Sequence, residues 1–348
     1  MAYLLAKTEK KPAHLKAYRL TIVLVAAVIL VFAVLFSIMI GTIQFSVHEF
    51  MSMLKGDCQG DLINQIIYNV RMPRVFTGIF VGMNLAVAGA LLQGILRNPL
   101  ASPNIIGVNA GAGLAAVIIM TILPGQIGAI PFAAFSGALL ATLLVYLLTT
   151  SSGGSSTVHI VLAGIAVSNL LTAVTSGLMM IHSDVLEVTY SWLLGSLSGR
   201  SWTAVNTIWP YSLVALTAAL FISPKVNLFG LGDEVASSVG LPIRLYRIVI
   251  MLIAAVLAGS AVSVAGTIGF VGLIAPHSAR LLIGSDYRYL VPLSAILGAV
   301  LLILSDTIAR TVFQPVELSV GIITAILGAP FFLMLLYKEG KSRGFISL

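Results

Sequence analysis

Long apolar runs without a charged residue dominate this sequence. The first, Leu20–Thr42, contains about 23 residues and no charged side chain, and similar runs recur along the rest of the chain. A helix needs roughly 20 such residues to cross the hydrocarbon core of a bilayer, whereas the strands of a membrane barrel give short alternating segments. The sequence therefore predicts an all-α, polytopic membrane protein.

The composition supports this class. Of the 348 residues, 59% are hydrophobic and only 9% are charged, whereas a soluble domain carries about 25% charged residues. Because Cys58 is the single cysteine, an internal disulfide or a thiolate metal cluster is excluded. The net charge of +7 does not indicate nucleic-acid binding, since membrane proteins concentrate Lys and Arg on their cytoplasmic side.

Ten spans account best for the pattern of apolar and polar segments. If both termini are cytoplasmic, fourteen of the 19 Lys and Arg residues fall on the cytoplasmic side and five outside, as the positive-inside rule requires. Residues 1–348 are thus predicted to form one transmembrane domain with cytoplasmic segments at 1–19 and 224–246. The spans are predicted near 20–42, 73–94, 104–123, 128–149, 157–181, 204–223, 247–269, 273–284, 289–311 and 318–337.

A short internal similarity is consistent with a duplicated design. Residues 87–99 and 264–276 both begin Val-Ala-Gly and both carry a proline ten residues after that glycine. The two stretches are predicted to run in opposite directions across the membrane, which is the pattern of an inverted-repeat transporter. A chance similarity between two helices rich in Gly and Ala is the alternative.

A charge, two amides and two prolines interrupt the apolar pattern within 97–104. Backbone groups that a proline leaves unpaired cannot face lipid, so this segment is predicted to be a buried or cavity-facing elbow near the cytoplasmic surface. It is either a tight loop between spans or a gate element of a transport path. The gate residues predicted here are Arg97, Asn98 and Pro99.

The glycine-containing stretch 269–280 adds Pro276 and His277 to the predicted gate residues. A lone histidine is more often a structural residue than a metal ligand, and its ordinary pKa leaves it mostly neutral. Because no cluster of His, Asp, Glu and Cys stands out in the sequence, neither a metal site nor a resident cofactor is expected.

Residues 224–246 form the longest predicted cytoplasmic segment. Gly232 and Asp233 give a helix start with acidic residues in the first turn, and Gly240 followed by Pro242 gives a helix end. These signals predict a short helix, Asp233–Val239, within the segment. An ordinary capped surface loop is the alternative.

Three of the arginines that fall on the outer side, where the topology disfavours positive charge, lie at the ends of predicted spans: Arg71, Arg74 and Arg310. Arg310 follows Asp306 by four residues, so the two side chains can pair on one helix face. The three side chains are either membrane anchors with one local ion pair or a basic rim that receives acidic residues of a partner.

Four blocks of the sequence closely resemble the permease subunits of bacterial ABC importers for iron-siderophores, haem and vitamin B12. They are 71–112, 227–241, 266–310 and 317–336, and a departure from the family is Ser319, where a proline is usual. The resemblance implies a dimer formed with a second permease copy or a paralogue, two cytoplasmic ATPase subunits and an extracytoplasmic substrate-binding protein. It implies ATPase coupling for Asp233, Glu234, Ala236 and Gly240, and binding-protein docking for Arg71, Arg74 and Arg310.

Together these features predict a permease in the bacterial inner or plasma membrane that imports an iron-siderophore complex, with haem or vitamin B12 as the alternative cargo. The sequence lacks a Walker A motif, so a separate subunit would hydrolyse ATP and the chain itself is not expected to be an enzyme. An ion-coupled secondary transporter is the alternative of a different class. It is disfavoured because the acidic residues other than Asp306 lie at predicted span ends. A purely structural membrane protein is a third alternative.

Overall fold

A computed structural model describes residues 12–41, 62–151 and 157–342, and these ranges are helical with no strand. A π-helical turn, Ile67–Arg71, joins the second helix to the third, and 3-10 turns cover Pro103–Ile106, Pro124–Ala129 and Ser183–Val185. The α-helices are α1 (Pro12–Met39), α2 (Leu62–Ile66), α3 (Met72–Ile95), α4 (Val108–Ile122), α5 (Ile130–Ser151), α6 (Thr157–Ile181), α7 (Leu186–Leu193), α8 (Trp202–Phe229), α9 (Asp233–Ser238), α10 (Ile243–Ala265), α11 (Val271–Ile283), α12 (Tyr287–Thr311) and α13 (Val320–Ser342).

The predicted polytopic helical architecture is confirmed. Seven helices in the described ranges are long and apolar enough to cross a membrane, and three shorter apolar helices, α4, α11 and α13, lie where spans three, eight and ten were predicted. Most boundaries agree with the predicted spans to within about four residues. The protein is therefore a multi-pass membrane protein.

Helix α3 lies at the centre of the bundle and contacts α8, α10, α11 and α12. Two pairs of glycines let backbones meet along it. Gly82 lies against Gly298 of α12, and Gly89 lies against Gly272 of α11, so closely that an added Cβ at either position would overlap the facing backbone. Such contacts between small residues drive helix association in lipid, where no hydrophobic force acts between helices.

One polar cluster ties three helices together inside the bundle. The buried Asn84 amide of α3 donates hydrogen bonds to the Ser212 hydroxyl of α8 at 2.7 Å and to the Ser260 hydroxyl of α10 at 3.0 Å. Hydrogen bonds of this kind hold helices in register because a polar group left unpaired in hydrocarbon is costly.

Charged side chains collect at the two ends of the bundle, as the alternating topology requires. Arg19, Arg97 and Arg247 lie at one end, which we call the basic end, and pair there with Asp233 or Asp286. The other end, which we call the opposite end, holds Arg71, Arg74, Asp306, Arg310 and Glu317. Residues predicted on one side of the membrane therefore share one end, while the assignment of the basic end to the cytoplasm stays a prediction.

Labelling of Cys58 tests this orientation. The residue belongs to the predicted outer segment 43–70 and lies outside the described residues. We expect a thiol reagent that cannot cross membranes to label Cys58 in intact cells. The Cys58→Ser variant is the control for background labelling. Labelling that occurs only after the cells are broken open would reverse the orientation.

The two stretches of the internal similarity adopt different conformations. Residues 87–95 continue helix α3, whereas in 264–276 helix α10 ends at Ala265 and α11 starts only at Val271. The break arises because Gly266 and Phe270 take left-handed backbone conformations, with φ of +72° and +65°. The similarity therefore does not mark equivalent helices, and an inverted repeat over longer parts of the chain stays a prediction.

Part of the predicted outer segment 182–203 packs into the bundle. It contains helix α7, and the chain that follows it turns inward so that Leu197 is buried beside Gly78 of α3. The Ser196 N–H donates a hydrogen bond to the carbonyl of Ala265 at 2.8 Å. This inward turn places α7 and residues 194–199 next to the break between α10 and α11.

Candidate coupling and transport site

Helix α9 is a short helix at the basic end with a glycine at each boundary. Gly232 (φ +97°) precedes it and Gly240 (φ +87°) follows it. The Gly240 N–H donates to the Ser237 carbonyl at 2.9 Å, and the next N–H donates to the Ala236 carbonyl at 3.0 Å, which is the Schellman pattern of a helix end. Its predicted start at Asp233 and its glycine C-cap are confirmed.

The faces of α9 differ in burial. Ala236 is fully buried against the bundle. On another face, Glu234 and the two serines of the helix line a shallow cavity together with Arg244 of α10. Two apolar side chains point away from the bundle: Val235 is 49% exposed and Val239 is 61% exposed. The helix is thus fixed on its inner face and presents an apolar tip to solvent.

Asp233 links α9 to two other parts of the chain. Its Oδ2 accepts a hydrogen bond at 2.7 Å from Arg247 of α10, a side chain that is only 1% exposed. Its Oδ1 lies 3.7 Å from the guanidinium of Arg97, which is 43% exposed. The elbow and the coupling segment were predicted as separate sites, and this carboxylate brings them together.

The elbow begins with a helix end of the same kind as that of α9. The Arg97 N–H donates to the Gly94 carbonyl and the Asn98 N–H donates to the Gln93 carbonyl, which again is a Schellman pattern. Arg97 occupies the left-handed position (φ +49°) where glycine is the usual residue. A non-glycine residue in this conformation costs about 1–2 kcal/mol, so the position favours glycine on backbone grounds alone.

The remainder of the elbow is held by local contacts and by helix α11. The Asn98 side chain accepts a hydrogen bond from the Leu100 N–H at 2.9 Å, and Pro99 lines a cavity of about 440 Å³ next to it. Further along, Pro103 approaches Gly272 at the start of α11. The elbow is therefore packed against the helix that carries the other two predicted gate residues.

Those two residues, Pro276 and His277, lie within α11. Because Pro276 has no N–H, the carbonyl of Gly272 one turn earlier loses its helical donor. The buried Gln93 side chain of α3 donates to that carbonyl at 3.4 Å. His277 lies edge-on to the Phe331 ring of α13, with 5.8 Å between the ring centroids. No group of three metal-binding side chains occurs in the described ranges.

The three arginines at the opposite end are buried, with exposed fractions of 4% for Arg71, 6% for Arg74 and 5% for Arg310. This differs from the exposed basic rim that the sequence predicted. Arg74 binds Asp306 of α12 with two nitrogens at 2.9 Å each. It also reaches Glu317 at 2.9 Å. Asp306 and Arg74 are 232 residues apart in sequence, so local spacing gave no signal for this pair.

The other two arginines hold helix α1. Arg310 donates hydrogen bonds to the hydroxyl and the carbonyl of Ser37, and Arg71 donates to the carbonyl of Ile38 at 2.5 Å. The predicted pairing of Arg310 with Asp306 is present but long, at 3.9 Å. Since these guanidinium groups are occupied within the chain, a direct docking role for them stays a prediction.

Glu317, which precedes α13, is the acidic group of this network outside the membrane-spanning helices. Burial raises its pKa, but the nearby Arg74 charge and a hydrogen bond from Ser198 lower it more, so the pKa lies below its ordinary value. A carboxyl group with a depressed pKa stabilises the fold above its unfolded-state pKa and loses that contribution as the pH falls through the folded-state pKa. The Glu317 carboxyl group is therefore charged at neutral pH, as its ion pair with Arg74 requires.

Comparison with known proteins identifies this arrangement of helices. The model of the FecCD transport family matches residues 29–338. The chain belongs to the FecCD transport family. It is 42% identical to the Fe(3+)-citrate import system permease protein YfmD of Bacillus subtilis, over 92% of this chain and 95% of that protein. It is also 41% identical to the cobalamin import system permease protein BtuC of Halobacterium salinarum, over 78% and 73% of the two chains.

A solved structure supports the same assignment. The inward-facing conformation of a putative metal-chelate type ABC transporter superimposes with a TM-score of 0.80 at 30% identity, covering 91% of this chain and 99% of that chain. This FecCD protein is thus an ABC importer permease located in the plasma membrane. The long apolar helices agree with that location.

The FecCD permease also carries a hydroxyl-lined pocket that the sequence analysis missed. It has a volume of about 320 Å³ and lies between α4, α6 and the chain around Thr267. Asn109 Oδ1 and Ser168 Oγ are buried there without a hydrogen-bond partner among the described residues. A spacing signal was present, since four hydroxyl side chains of the apolar helix α6 recur at helical intervals: Ser168, Thr172, Thr175 and Ser176.

Proposed function

We propose that this FecCD permease imports a ferric chelate of the citrate or siderophore type as half of a permease dimer. A separate cytoplasmic ATPase drives the import, and a binding protein delivers the cargo. The family membership and the ferric-citrate permease that aligns over nearly the whole chain support this cargo class. The similar identity to a cobalamin permease makes a corrinoid the competing cargo.

The observation that carries the ATPase partnership is the exposed tip of helix α9. An apolar tip of Val235 and Val239 at the end of a bundle that faces the aqueous phase is suited to a groove on a soluble partner. The glycine-bounded ends and the buried Ala236 keep the helix rigid on its inner face. Under the predicted topology, this tip points to the cytoplasm, where an ATPase subunit would lie.

We place the cargo path along the hydroxyl-bearing face of α6. That helix is largely exposed in the single chain, with only 17% of its membrane-length window buried. A second permease subunit would cover this face and close a path between the two copies. Neutral hydroxyl and amide groups suit a chelated cargo, because they can hydrogen-bond to a chelator without binding the metal.

The binding protein is assigned to the opposite end. Because Arg71, Arg74 and Arg310 are buried and bonded within the chain, their role in docking is to hold helices α1, α3 and α12 and the segment before α13 in position. The surface above this network would then make the direct contacts. Docking thus stays at the predicted end of the bundle, but the three arginines position the docking surface instead of contacting the binding protein directly.

Uptake measurements in cells test the cargo and the energy source. In a strain that lacks the gene, uptake of radioactive iron from at least one ferric chelate should be lost and should return with the cloned gene. The panel consists of ferric citrate, a hydroxamate, a catecholate, haem and labelled cobalamin. Loss of cobalamin or haem uptake alone would contradict the ferric cargo. Loss of uptake with a protonophore while cellular ATP is maintained would favour the ion-coupled alternative.

The Gly240→Trp variant tests helix α9 as the coupling element. Space around Gly240 is open, but its φ of +87° is unfavourable for any side chain. We expect normal amounts of permease in the membrane, weak co-purification of the ATPase, and low uptake. Gly199→Trp is the matched control for ATPase co-purification, which it should leave normal, because Gly199 also has a positive φ of +69° and open space but lies in the loop after α7. Normal uptake and normal ATPase co-purification of Gly240→Trp would rule out the assignment.

A further inference from the structure

We propose that Asp233 is a two-sided link that transmits movement of helix α9 to α10 through Arg247 and to α3 through Arg97. Arg247 is the permanent side of this link and Arg97 is the side that opens and closes. Arg247 is thereby a positioning residue that the sequence did not indicate. The inference rests on the proposed function, since it assumes that an ATPase moves α9.

The two sides of the link differ in geometry. On the Arg247 side the ion pair is short at 2.7 Å, and the arginine is buried with its guanidinium 5.6 Å from the centre of the Phe229 ring. A pair this short and enclosed moves as one unit with α10. On the Arg97 side the charged atoms are 3.7 Å apart, beyond the range of a hydrogen bond, and both side chains are partly exposed.

The Asp233 oxygen that faces Arg97 has no hydrogen-bond partner in the described part of the chain. Oδ1 is buried and accepts no hydrogen bond. Leaving a buried carboxylate oxygen unsatisfied is unfavourable, so a small approach of Arg97 would be favoured as soon as α9 or the elbow shifts. A small movement would thus bring the Arg97 guanidinium into hydrogen-bond contact with the Asp233 carboxylate, as a switchable ion pair requires.

The backbone around this contact points to the same role for Arg97. The residue occupies a left-handed helix-end position where glycine would be unstrained, yet the chain carries a long cationic side chain there. Gly232, directly before Asp233, leaves room for that side chain, because a Cβ there would lie 3.3 Å from an Arg97 nitrogen. Strain retained at a position with an ionic contact is typical of a functional residue.

Closure of the contact would tie α9 to the central helix of the bundle. Arg97 follows α3 after a single residue, Leu96, and the same elbow continues past Pro103, which packs on Gly272 of α11. Movement of α9 would therefore reach α10 through Arg247 and reach α3, α4 and α11 through the elbow. Of these helices, α4 borders the hydroxyl-lined pocket, so the contact couples the ATPase-facing helix to that pocket.

The test compares Arg97→Gly with Arg97→Lys in the complete transporter, reconstituted in liposomes with its ATPase and binding protein. The measured quantity is the number of cargo molecules imported per ATP hydrolysed, together with the melting temperature. Arg97→Gly relieves the backbone strain, so its melting temperature should stay the same or rise. Its import per ATP should fall about fivefold or more, which is the low end of typical coupling between sites.

Arg97→Lys keeps the charge and should retain most of the import per ATP. Arg19→Gln is the matched control, because it breaks another partly exposed ion pair at the basic end, Arg19–Asp286 at 3.3 Å, that does not involve α9. If import per ATP were unchanged in Arg97→Gly, or fell equally in Arg19→Gln, the proposed link would be overturned. Wild-type liposomes without ATP-dependent import would instead overturn the proposed function.

Discussion

The Gly89→Ala variant should fail to accumulate as a folded membrane protein. Gly89 lies at the crossing of α3 and α11, where an added Cβ would overlap the backbone carbonyl of Gly272. The facing atoms belong to the backbone and cannot rotate away, so the two helices would have to separate. Because α3 is the buried centre of the bundle, separation there would disrupt most of its packing.

The measurement is the amount of permease in the membrane fraction and its elution as a single species after extraction in mild detergent. Gly177→Ala is the matched control: it also lies within an apolar helix, but no atom lies within 4 Å of its added Cβ. That variant should resemble the wild type, since alanine favours helix more than glycine. A stable, monodisperse Gly89→Ala protein would contradict the close crossing of α3 and α11.

The second large effect is expected from Arg74→Glu, which should greatly reduce the level of folded permease. The change removes the partner of a buried carboxylate and places a third carboxylate between Asp306 and Glu317. Breaking a buried ion pair by removing one partner typically costs about 3–5 kcal/mol, and reversing the charge adds repulsion. Protein level and melting temperature of the purified permease are the readouts.

The exposed Arg288 provides the control, because Arg288→Glu reverses a charge that is not buried and should change stability little. Because no acid lies within a helical turn of Arg74 in the sequence, local spacing does not indicate this loss of stability. The fold brings two acids to it from distant segments. A folded Arg74→Glu protein that fails to bind the binding protein would restore the direct docking role and contradict the positioning role.

Features set by local sequence were predicted well. The spans follow from the length of the apolar runs, which lipid imposes on any helix that crosses it. Helix α9 was found because glycine and acidic residues mark helix ends through backbone conformation and capping. The resemblance to a known family added the roles of these segments, which no local pattern contains.

Features that depend on contacts between distant segments were not predicted. The partners of Arg74 and the link from Arg97 to Asp233 come from different helices, and nothing in the spacing of these residues indicates them. The inward turn after α7 looked like an outer loop because its polar residues obscured the burial of Leu197. The hydroxyl face of α6 was detectable from its spacing, but an apolar span with several hydroxyl side chains is also common in ordinary helix packing.

The most direct test of this account is import into liposomes that contain the permease, its ATPase and ATP inside, with the binding protein and a radioactive ferric chelate outside. The account predicts that iron accumulates in the lumen only when ATP is present and only when both partner proteins are included. Omission of either partner should reduce accumulation to that of empty liposomes. Accumulation without ATP, driven by an imposed proton gradient, would contradict the assignment of this chain as an ATP-driven importer permease.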